Sequence, residues 1–122
     1  MTRPAKTLFL STVAARALLA GERVEIRAPA DDDSPPWTVG QVLPAREPWA
    51  MAEPGPLNRD ALIAYRADYA QPVGVPHWCS ASSLPAWAVR LHARVVEVRV
   101  ETVGEPYPRR EWVALIQREA PR

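Results

Sequence analysis

The segment from Leu91 to Val103 constrains this chain more than any other, because its apolar residues alternate and then change phase once. Leu91, Ala93 and Val95 fall on one face. After Val95 the apolar positions become Val96, Val98 and Val100, while Glu97, Arg99 and Glu101 carry charge. A period of two is the signature of a strand with one buried face. A slip of one residue keeps the apolar side inward only if one residue is extra, which is a β-bulge, the device small barrels use to turn corners. The chain therefore needs a sheet with one covered face and a bent long strand.

The remaining segments are read around that strand. Thr7-Leu8-Phe9-Leu10 is a short apolar run and predicts a first strand. Ser11 or Thr12 then offers a side-chain oxygen to the free N–H groups of a helix over Val13–Ala20, which Gly21 closes. Glu22–Arg27 alternates, with Val24 and Ile26 on one side and charges on the other, and predicts a half-buried strand. Pro29–Pro36 is a loop by composition. Trp37–Leu43 predicts a strand interrupted at Gly40, and Pro44 and Pro48 confine the next residues to an edge, bulge or loop. Leu57–Tyr65 suits either a helix or a strand, and Asp68–Pro76 reads as loop. Ser83-Leu84-Pro85 predicts the start of a short helix through Trp87 and Ala88, and Trp112–Gln117 a closing strand after a turn at Gly104–Pro108. Five or six strands with one or two short helices make an α+β fold, read as a small barrel in a single domain over residues 1–122.

Composition narrows the function classes. The sole cysteine, Cys79, excludes an intramolecular disulfide framework. No apolar window is long enough to span a bilayer, and the first residues lack a cleavage region, so a cytoplasmic protein without a membrane partner is expected. The net charge is only +1, which argues against a dedicated duplex binder. Lys6 is the one lysine, so nearly all positive charge sits on arginines, which grip phosphate and stack on bases.

Site chemistry is sparse. Asp31-Asp32-Asp33 lacks the spaced oxygen ligands of a calcium loop. His77 and Cys79 lack partners for a zinc site and a third group for nucleophilic catalysis, so neither a metal nor another cofactor is expected. Phosphate-binding and nucleophile-elbow motifs do not occur.

Several ordered segments carry a resemblance. Ala14-Ala15-Arg16-Ala17-Leu18-Leu19-Ala20-Gly21 is similar to a helix of the form ARAILAG, and Gly40–Ala50 to a GDxLWVRETWA segment. Tyr65-Arg66-Ala67-Asp68 matches a YRAD tetrad. Trp78–Leu91 resembles WxPSIHMPRWASRI, keeping Trp78, Pro85, Trp87, Ala88 and Arg90. Arg94–Val103 and Trp112–Glu119 follow as the last two strands. Together these resemble the ASCH domains, a PUA-like family of small β-barrels associated with RNA, and most nearly those encoded in phages and prophages.

The resemblance implies a site. Arg46, Glu47, Arg66, Asp68 and Arg90 occupy matched polar positions, either lining a cleft for phosphate and base edges or bracing the barrel as ion pairs. Trp49, Trp78 and Trp87 are candidate stacking faces, with a core role as the alternative for each and the favoured reading for Trp87 and Trp112. In members resembling an N4-acetylcytidine amidohydrolase, a lysine acts with a threonine and a glutamate. Here Arg23 stands at the lysine position, and arginine does not deprotonate usefully near neutrality. Val24 and Ile26 replace the threonine, the glutamate segment is shortened to Gly104-Glu105-Pro106, and Ser83 and Ala86 replace a histidine and an arginine. The expectation is a module that binds RNA or a nucleotide through Arg23, Arg46, Arg66 and Arg90 without catalysis. The alternatives are a phage protein that inhibits a host nucleic-acid defence machine through a protein partner, and an amidohydrolase-like or ribonuclease enzyme.

Overall fold

The computed structural model describes residues 5–51, 63–69 and 77–120. The elements are β1 (Leu8–Phe9), α1 (Thr12–Leu19), β2 (Val24–Pro29), β3 (Val42–Arg46), β4 (Trp49–Met51), β5 (Ile63–Tyr65), β6 (Leu91–Val103) and β7 (Arg109–Arg118). Short 3-10 turns cover Arg66–Asp68, Ala81–Ser83 and Ala86–Ala88. The fold is α+β.

Both ends of α1 follow from local chemistry. The Ser11 hydroxyl accepts a hydrogen bond from the Ala14 N–H at 3.1 Å. At the far end Gly21 adopts φ +82°, and the N–H groups of Gly21 and Glu22 close back on the carbonyls of Leu18 and Ala17. Ala15 and Leu18 are the buried residues of the helix.

The main sheet has strand order β1-β3-β6-β7-β2, with β1 parallel to β3 and every other pairing antiparallel. β4 and β5 form a separate antiparallel pair. Along β6 and β7 the register passes from Val95–Ile116 to Glu97–Leu115, so Val96 is the extra residue of a bulge. The bulge restores the faces. Val24, Ile116 and Val95 stand in one row, and Ile26, Ala114 and Val98 in the next, all on the side of the main core. Leu8, Leu10, Leu18, Trp37, Leu43 and Leu91 complete that core. On the other face Arg27 and Arg99 flank Val113, which is fully buried there although it belongs to neither core cluster.

Some expectations change. Trp37 is buried in the core but lies outside any strand, and regular pairing starts only at Val42. Gly40, at φ +92°, donates to the Val95 carbonyl while the Val95 N–H bonds Gln41, an irregularity that ends the ladder there. Pro44 lies inside β3, opposite His92, one residue before β1 begins to pair. Its missing N–H is tolerated because β1 meets only Ala45 and Arg46. Ser83 caps no helix: the Ala86–Ala88 turn starts from Pro85 without a side-chain cap. Of Leu57–Tyr65 only the strand Ile63–Tyr65 is described, and most of Asp68–Pro76 lies outside the described residues. Among the described residues no helix is long and apolar enough to cross a membrane.

Candidate functional site

A buried polar cluster forms where the linker between β3 and β4, the end of β5 and the approach to β6 meet. Glu47 is 0% exposed, the only buried charged residue among those described. An isolated carboxylate at that depth would be prohibitive, so it requires a charged partner. Arg90 supplies one with a two-pronged grip: Nε donates to Oε2 at 3.0 Å and Nη2 to Oε1 at 2.8 Å. The remaining nitrogen of Arg90 donates to both oxygens of Asp68, at 3.0 and 2.9 Å. The guanidinium carbon lies 4.0 Å from the centre of the Tyr65 ring. Burial acts against the Arg90 charge, but the bonds to Glu47 and Asp68 outweigh it and push its pKa up. The Tyr65 phenol is raised chiefly by its own burial, with Arg90 pulling the other way. Its hydroxyl donates to the Ala88 carbonyl.

The surrounding residues are tied in by backbone bonds. Arg46 donates to the carbonyl of the fully buried Leu84 at 2.6 Å. The Arg66 N–H bonds the Pro48 carbonyl, while its exposed guanidinium has no partner among the described residues. Arg46, Glu47, Arg66, Asp68 and Arg90 thus fall in one neighbourhood. Arg23 does not join them: it is exposed just before β2, on the far side of β7 and β6 from β3.

Burial separates the tryptophans. Trp49, a candidate stacking face, is only 9% exposed, packs with Leu84 and Ala88, and donates its indole N–H to the Ser83 hydroxyl. Its backbone forms a bridge to Cys79. Trp87, for which core is the favoured sequence reading and stacking the alternative, is 71% exposed, because a 3-10 turn of three residues turns only Ala88 inward. Trp78 is half-buried against Tyr69, with ring centres 5.6 Å apart. Trp112 is half-buried against the main core.

Arg16 is the residue that sequence reasoning missed. Its guanidinium reaches from α1 to the carbonyls of Ala67 and Tyr69 and so fixes the turn carrying Arg66 and Asp68. The available signal was a lone charge within an otherwise apolar helix, between the buried Ala15 and Leu18. Among the described residues no group of three His, Cys, Asp or Glu side chains is placed to hold a metal.

The fold and this cluster define a small α+β protein with an arginine–carboxylate brace beside an open arginine and an open indole. Comparison with family models, curated proteins and solved structures finds no match.

Proposed function

We infer that this chain is an ASCH-like module, a PUA-like barrel working in the cytoplasm, that binds RNA or a nucleotide without turning it over. The observation that carries this reading is the fully buried Glu47 locking Arg90, with the exposed Arg66 and Trp87 on the segments it holds. Arg66 follows Tyr65 and Trp87 precedes Ala88, so the Tyr65–Ala88 hydrogen bond joins the two segments that carry them. A cation and a flat aromatic face on a rigid base suit a phosphate and a base. Arg46 keeps donors beyond the one given to Leu84. Arg90 spends its donors on two carboxylates and is held as a fixed cation, which favours binding over acid–base chemistry.

The test is fluorescence anisotropy with a short single-stranded RNA over a salt series. Trp87→Ala is expected to lose about 1–3 kcal/mol of binding energy, the worth of one stacked base. Arg66→Ala is expected to weaken binding and to lower the salt slope by roughly 0.7, the share of one phosphate contact. Arg23→Ala is expected to leave the affinity unchanged. Absence of salt-sensitive association at low ionic strength overturns the reading.

A further inference from the structure

The outer edge of β2 carries a feature that the RNA reading does not use. β2 ends the main sheet, and among the described residues nothing pairs with its far side. The Ala30 N–H donates to the Arg110 carbonyl, which fixes the alternation of the β2–β7 ladder. Val24, Ile26 and Ala28 therefore turn their backbone groups toward β7, and Glu25 and Arg27 turn theirs outward. Pro29 presents only a carbonyl on that side, having no N–H.

We propose that this edge is a self-complementary interface through which two copies of the chain pair antiparallel, β2 against β2, about a two-fold axis at Ile26. In that register Glu25 of each copy lies opposite Arg27 of the other, and the outward N–H and C=O groups of both residues are satisfied. The neighbouring registers fail on charge. An axis at Arg27 sets arginine against arginine, and an axis at Glu25 sets glutamate against glutamate. Only the Ile26 axis also places Arg23 opposite Pro29 of the second copy, next to Glu111 in the adjacent strand. Arg23 is an exposed cation without a partner among the described residues. The half-buried row of Val24, Ile26 and Ala28 becomes continuous across the two sheets. The result is an isologous pair that also removes an open sheet edge.

The decisive experiment is sedimentation equilibrium on the full chain. The wild type is expected at twice the 13.5 kDa chain mass. Arg27→Glu and Glu25→Arg each set like charges face to face and are expected at the single-chain mass. Mixing the two variants makes every opposed pair complementary again and is expected to restore the doubled mass. Far-UV circular dichroism establishes that each variant is folded. An independent reading is Ile26→Cys in a Cys79→Ser background: opposed residues of a non-hydrogen-bonded pair lie close enough for a disulfide, so oxidation is expected to yield a covalent dimer, and Glu25→Cys in that background none. A monomeric wild type, a doubled mass retained by folded single variants, or a mixture that does not associate overturns the proposal. If a charge variant does not fold, the cysteine pair decides alone: cross-linking at position 26 and not at 25 supports the interface, and any other pattern overturns it.

Discussion

Glu47 shows how one side chain organises its surroundings. With no exposure to water, it is stable only as half of the bidentate pair with Arg90. Removing one member of a buried pair leaves the other uncompensated, at a typical cost of 3–5 kcal/mol. Arg90 retains Asp68 and some contact with solvent, so Glu47→Ala is expected at the lower end, about 3 kcal/mol in urea denaturation. Tyr65 answers a different question. Tyr65→Phe strands the Ala88 carbonyl and is expected to cost about 1–2 kcal/mol near neutrality. Its folded pKa lies above the ordinary 10.0, chiefly through burial, so the native state holds that proton more tightly than the unfolded chain. The stability this contributes is complete below pH 10.0 and is lost as pH rises from there through the folded value. Alkaline denaturation followed by circular dichroism is expected to show this decline in the wild type and a weaker one in Tyr65→Phe.

Among the elements, β6 was the most legible because its pattern is local. The phase change alone located the bulge within the stretch where the register shifts. A deletion series tests that reading. Without Val96 the order Val95, Glu97, Val98 still alternates inward, outward, inward, so both faces keep their residues. Deleting Val98 instead moves Arg99 to the core side. The deletion of Val96 is therefore expected to retain a cooperative thermal transition, lowered by the lost bend, and that of Val98 to abolish it. The ends of α1 were legible for the same reason, since Ser11 and Gly21 act on their own neighbours. Trp37–Leu43 was not, because its pairing is decided by Val95, far along the chain. Ser83 misled for a related reason: its hydroxyl bonds the Trp49 indole and the Ser80 carbonyl, which is a tertiary choice and not a propensity.

At the scale of the molecule, the described residues hold two charge networks of three or more members beside the Arg94–Glu119 pair, and the sequence foretold the two unequally. Arg46, Glu47, Arg66, Asp68 and Arg90 come from separate stretches of the sequence and meet in one neighbourhood of the fold. Which arginines are spent and which are open was not legible in the sequence, since that depends on burial of Glu47 and on carbonyls such as that of Leu84. Exposure of Trp87 and burial of Trp49 likewise follow from packing between distant segments. The second network crosses the outer face of β2, β7 and β6, where alternation announced charges but not their partners. Arg27 bonds Glu25, Glu101 and Glu111, and Arg99 bonds Glu25, Glu97 and Glu101. Glu101 joins both arginines, and their hydrogen bonds, Arg99 first and then Arg27, hold its carboxyl below the ordinary 4.5. A carboxylate depressed in the native state adds stability that is complete above its unfolded value and is lost as pH falls through the folded one. Acid unfolding is therefore expected to steepen below about pH 4.5. Glu101→Gln, which cannot titrate, is expected to be less stable than the wild type near neutrality and to lose less on acidification, so that the two stability curves converge. Because these side chains are partly exposed, added salt is expected to narrow the neutral difference as well. Urea midpoints measured across the acid range at low and high salt decide the matter. Curves that stay parallel would place the acid sensitivity in other carboxylates and overturn the assignment to Glu101.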